Sequence, residues 1–116
     1  MIVVAVDDLM FSSRISTAAK ASGVAIRFAR SPQAVVDAVR ETNARLVILD
    51  LNSQRVAPLD AVAALKADAA LAHTPTVGFV SHVQTDLIAQ ARQAGVDRVM
   101  ARSAFVAELP DLLKGA

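Results

Sequence analysis

The sequence predicts a doubly wound α/β domain: five parallel strands in the order 2-1-3-4-5, with helices on both faces. Strand-like and helix-like apolar periods alternate along all 116 residues, which points to successive βα units with right-handed crossovers. The strand segments are continuous apolar runs, as in a sheet covered on both sides. Two of them, Ile2-Val3-Val4-Ala5-Val6 and Leu46-Val47-Ile48-Leu49, end abruptly in acid at Asp7-Asp8 and Asp50. Ligands gather at the carboxyl ends of strands in such sheets, so this rim is where function is expected.

Residues 2–6 form the first strand, followed over 9–22 by a helix with Phe11, Ile15, Ala18, Ala19 and Ser22 on one face and Gly23 as its stop. Residues 24–28 read as the second strand on β-propensity and position. Ser31-Pro32 starts the next helix, Ser as N-cap and Pro at the first helical position. Its stripe is Val35, Ala38, Val39 and Thr42, and it ends near Asn43. The third strand spans 46–50. A polar connection then leads to Pro58 and a helix with Leu59, Val62 and Leu65 inward. Pro75 opens the fourth strand, 76–80, which ends at Ser81. A fourth helix over about 83–94 carries Leu87, Ile88, Ala91 and Ala94 on one face and stops at Gly95. Residues 96–100 give a weaker fifth strand. Ser103 is expected to cap a last helix carrying Phe105, Leu109, Leu112 and Leu113, distorted at Pro110.

Hydrophobic residues make up 54% and charged ones 20%, which excludes the disordered class, and residues 1–116 read as a single domain. A net charge of +1 carries no signal for nucleic acid or membrane. The absence of cysteine excludes disulfides and thiolate metal sites. No apolar run approaches the roughly 20 residues of a membrane helix, and the N-terminus has no basic leader, so a cytoplasmic location is expected.

If the first and third strands are neighbours, Asp7, Asp8 and Asp50 converge. Their mutual repulsion raises at least one pKa, and a divalent cation such as Mg²⁺ with hard oxygen ligands relieves it. Ser81 and the cation Arg102 reach the same rim from the fourth and fifth strands. This ordered set, with the Leu49-Asp50 motif and the Ala94-Gly95-Val96-Asp97 turn, resembles the receiver domain of two-component response regulators, a flavodoxin-like fold, from Val3 to Leu113.

The resemblance implies a signalling module and not an enzyme. Asp50 would accept a phosphoryl group from a histidine kinase or phosphotransfer protein. Asp7, Asp8, Asp50 and the Asn52 backbone carbonyl would hold Mg²⁺, while Ser81 and Arg102 would contact the phosphoryl oxygens. An output protein would bind the face of the fourth helix, fifth strand and fifth helix. The chain would act as a monomer or weak dimer, without nucleic acid or membrane.

Several positions depart from the family. Arg102 replaces a lysine, and a planar guanidinium is no substitute for a compact ammonium. Ser103 follows it in place of proline, so a trans bond is expected there. Val99 stands where an aromatic is usual, and His82 where a small residue is usual, next to the phosphorylation pocket. Ser53-Gln54-Arg55-Val56-Ala57-Pro58 replaces the usual Pro and Gly motifs. The metal half looks retained and the response half altered, which makes a phosphorylation-independent interaction module the alternative. Ser81 also suits capping of the fourth helix, Asp7 capping of the first, and Arg102 an ion pair closing the acidic cluster. A haloacid-dehalogenase-type phosphatase is rejected, because Leu9 and Met10 stand where its second acid is needed.

Overall fold

The apolar runs become strands and the periodic stretches helices, in strict alternation. The structure is a computed structural model that describes residues 1–81 and 84–115. The strands are β1 (Ile2–Ala5), β2 (Ile26–Phe28), β3 (Leu46–Asp50), β4 (Thr76–Val80) and β5 (Arg98–Ala101). The helices are α1 (Leu9–Ser22), α2 (Pro32–Thr42), α3 (Pro58–Ala67), α4 (Thr85–Ala94) and α5 (Arg102–Lys114). All strands are parallel in the order β2-β1-β3-β4-β5, as the sequence predicts. Ala5 pairs with Leu49, and Asp50 with Phe79, which sets the carboxyl ends of β1, β3 and β4 side by side.

Alternate residues of each strand feed two cores, because successive side chains point to opposite faces. Val3, Ala5, Val47 and Leu49 pack with Val35, Val39, Val62, Leu65 and Ala91 of α2, α3 and α4. Ile2, Val4, Ile48, Val77 and Phe79 pack with Phe11, Ile15, Phe105, Leu109 and Leu113 of α1 and α5. Each fully buried aliphatic or aromatic side chain contributes roughly 1.5–3 kcal/mol, so the two cores carry the fold.

Local signals explain the helix ends. Ser31 Oγ accepts from Ala34 N at 3.1 Å as the α2 N-cap, and Asn43 closes that helix in the left-handed region. Gly23 ends α1 in the same conformation, and Val24 N donates to Ala19 O at 2.9 Å. That bond takes Val24 out of the expected second strand, which starts at Ile26. Val96 does the same for α4, donating to Ala91 O, so β5 begins at Arg98 and not at 96. The freed Asp97 instead staples β4: its Oδ2 accepts from Thr76 N at 2.8 Å, and its own N–H donates to Thr76 Oγ1 at 3.0 Å.

One helix expectation needs correction. Ser103 does not cap α5; Ala101 holds the N-cap position and Ser103 is the exposed second residue of the helix. α5 runs on through Pro110, which is exposed on the solvent side and forgoes the bond to the Val106 carbonyl.

Both outer strands are short, and each carries an exposed arginine tied to a flanking helix. Arg27 of β2 pairs with Glu41 of α2 at 2.8 Å, and Arg98 of β5 with Glu108 of α5 at 2.6 Å.

Gly78 in mid β4 is required by close approach: a Cβ there would lie 2.8 Å from the Leu51 side chain, which is itself buried. Gly78→Ala is expected to cost about 1–3 kcal/mol through overpacking, measured by urea denaturation. An unchanged midpoint would show that Leu51 yields freely.

Candidate functional site

Asp50 is the last residue of β3 and only 5% exposed. Burial holds its carboxyl above the usual range; the Asn52 N–H and the Arg102 guanidinium act against the rise, and Asp8 and Asp7 add to it. Its Oδ1 accepts from Asn52 N at 3.0 Å, which fixes the carboxylate plane and leaves Oδ2 for chemistry. Past Asp50 the chain stays on the sheet for one more step, Leu51 N donating to Phe79 O at 3.0 Å.

β1 delivers the other two acids to the same rim, but in different roles. Asp8 is the N-cap of α1, its Oδ1 accepting from Phe11 N at 3.0 Å, so Asp8 and not Asp7 caps that helix. Asp7 is drawn toward Arg55 on the β3–α3 loop, 3.7 Å away. Among the described residues, no three carboxylate or imidazole side chains group tightly enough to hold a metal ion. The expected set of Asp7, Asp8, Asp50 and the Asn52 carbonyl thus shares a rim without forming a closed ligand shell. The donor chemistry still fits a hard divalent cation. Asp50 and Asp8 each have one oxygen outside the hydrogen bonds described, and Asp7 is held only by a long, solvent-exposed ion pair worth little.

Arg102 occupies the first turn of α5, with its guanidinium carbon over aromatic rings. Its Cζ is 4.5 Å from the Phe11 centroid and 5.6 Å from that of Phe79. Those rings belong to a trio, Phe79 and Phe105 stacked at 4.7 Å and Phe11 and Phe79 at 4.8 Å. The guanidinium makes no ion pair within 4.0 Å among the described residues, and its buried Nε lacks a hydrogen-bond partner. The expected alternative, an ion pair sealing the acidic cluster, is therefore not formed. Arg102 reaches Asp50 through its field alone. The backbone contains no cis peptide bond among the described residues, in keeping with the trans bond expected before Ser103.

Ser81 directly follows β4 and does not cap α4, a position held by Gln84. Its N–H donates to Asn52 Oδ1 at 2.7 Å, and Asn52 Nδ2 donates onward to Gln84 Oε1. The sequence reading enlists Asn52 only for its carbonyl. Its side chain, Gln84 and the aromatic seat of Arg102 carry no periodic signal that would single them out. The expectation that His82 crowds the pocket concerns a residue outside the described ones.

No family model and no curated protein matches the sequence. Solved structures do match. A response regulator from Hahella chejuensis superposes with a TM-score of 0.84 at 19% identity, over 97% of this chain and 91% of that one. Chemotaxis protein CheY4 of Vibrio cholerae gives 0.81 at 13% identity, over 98% and 95%. The Mn²⁺-bound form of response regulator Rcp1 gives 0.74 at 19% identity, over 98% and 88%. With its strand order, five flanking helices and acid-lined rim, the chain has the fold of response-regulator receiver domains.

Proposed function

We propose that this protein is a receiver that accepts a phosphoryl group on Asp50 from a phosphohistidine of a histidine kinase or phosphotransfer protein. The observation that carries this reading is a buried carboxylate at the end of the central strand, held by one oxygen, with two further acids and a guanidinium close enough to act on it. Asp50 Oδ2 would form the new P–O bond as the P–N bond breaks, the electron pair leaving with the imidazole nitrogen. Asp7, Asp8, Asp50 and the Asn52 carbonyl would hold Mg²⁺, which neutralises charge on the phosphoryl oxygens when bound. That Rcp1 is known with Mn²⁺ bound supports a divalent ion.

The chain's own groups do the rest. Arg102 places positive charge beside the acceptor and swings from its aromatic seat toward an incoming oxygen, which also satisfies its buried Nε. Ser81 donates its hydroxyl to another oxygen. The output would be contact with a further protein through α4, β5 and α5, in the cytoplasm and without a catalytic step of its own.

Acetyl phosphate or beryllofluoride with Mg²⁺ tests this. The wild type is expected to gain one phosphoryl group by mass, or a saturable set of amide shifts around Asp50 and Ser81. Ser81→Ala should slow the gain roughly 10- to 100-fold, the worth of one charge-assisted hydrogen bond. A silent wild type overturns the proposal and leaves a phosphorylation-independent docking module.

A further inference from the structure

α4 is weakly anchored. Ala91 is its one fully buried residue, and Leu87 and Ile88 are half-buried. Between its first turn and the β3–α3 loop an open cleft of about 200 Å³ is lined by Leu51, Ala57, Leu59 and Leu87, so the apolar packing there is incomplete. What ties the start of this helix down is polar. Gln84 sits at the N-cap but makes no capping bond; its Oε1 accepts from Asn52 Nδ2 instead. Asn52 also accepts from Ser81 N with its side-chain oxygen and donates its backbone N–H to Asp50 Oδ1. One side chain thereby joins the acceptor loop, the end of β4 and the start of α4.

We propose that Asn52 and Gln84 form a clasp: two positioning residues that hold Ser81 and the start of α4 against the acceptor loop while Asp50 is unmodified. The trigger rests on the phosphoryl-acceptor reading; the clasp itself belongs to the resting protein. When Oδ2 is esterified, Oδ1 turns from a carboxylate oxygen into the carbonyl oxygen of an acyl phosphate. The Asn52 N–H then loses a charge-assisted acceptor, a bond about twice as strong as its neutral counterpart. Asn52 loosens, and an element with one buried side chain has little else to keep it in place.

Amide hydrogen exchange on the full chain without any phosphoryl mimic tests the clasp. Gln84→Ala is expected to speed exchange about tenfold at Ser81 and at residues 88–91, the loss of one hydrogen bond of about 1.4 kcal/mol, with α1 and α2 unmoved. Gln84→Glu keeps the acceptor oxygen and should restore protection. No change at these amides, or an equal rise in every helix, overturns the clasp. Beryllofluoride with Mg²⁺ then tests the coupling. Gln84→Ala should bind it several-fold more tightly than wild type, because the open state is already populated, a gain that mere destabilisation would not give. Equal or weaker binding overturns the coupling. If the mimic binds neither protein, the acceptor reading fails, and the exchange data still decide the clasp.

Discussion

Asp50→Asn is expected to abolish phosphoryl acceptance and, at the same time, to make the fold more stable. The first effect follows from chemistry, since an amide oxygen is no nucleophile toward phosphorus at neutral pH. The second follows from burial. A carboxylate that is 5% exposed and faces Asp7 and Asp8 is held above the ordinary value of 3.8, even with Asn52 and Arg102 opposing the rise. Between the unfolded value and the higher native one, the folded state binds more protons than the unfolded state, so stability falls as pH rises through that window. Above the native value the loss is complete. The asparagine variant lacks this penalty and keeps the acceptor for the Asn52 N–H. Its advantage should be near zero below the unfolded pKa, grow as pH rises through the raised native value, and be full at neutral pH. Urea denaturation of both proteins at several pH values checks this. Parallel curves would mean that burial of Asp50 carries no energetic penalty.

Phe79→Ala should produce the largest loss of stability. Phe79 is fully buried, stacks on Phe105 at 4.7 Å and touches Phe11 at 4.8 Å. Truncation to alanine removes most of that contact and leaves a cavity between two helices and the sheet, about 3–5 kcal/mol. Domains of this size have about 5–15 kcal/mol in all, so the variant is expected to be partly unfolded at physiological temperature. Phe79→Leu keeps most of the volume and should lose considerably less. Both midpoints should fall with an unchanged denaturant slope. A loss below about 1 kcal/mol for the alanine variant would show that Phe11 and Phe105 close over the gap. Arg102 rests on the same ring, so the truncation also removes part of its seat.

The architecture was legible because burial on both faces writes itself as unbroken apolar runs, and because Ser31-Pro32, Gly23, Asn43 and Gly95 punctuate the helices where their backbones need it. The convergence of Asp7, Asp8 and Asp50 followed from one topological step, the adjacency of β1 and β3. What escaped were long-range polar partners. Nothing local in Asp8 marks it as the cap in preference to Asp7, and nothing in Ser103 says that Ala101 will take its place. Arg102 reads as a rim cation, yet its guanidinium rests on Phe11 and Phe79, residues distant in sequence that a helical or strand period assigns only to the core. Asn52 and Gln84 meet across a fold-determined gap that no spacing rule spans.

The two ion-paired arginines of the outer strands restrict how anything can associate with this molecule. An unpaired strand edge is a template for another backbone. Here β2 and β5 offer only three and four residues, with a charged side chain braced against the neighbouring helix in the middle of β2 and at the start of β5. Strand addition, whether by a second copy or by an extended peptide, meets a short edge and a guanidinium that must be stripped of its glutamate. Recognition is thereby diverted to helical surfaces and to the acidic mouth of the sheet, and the chain is protected from templating its own aggregation.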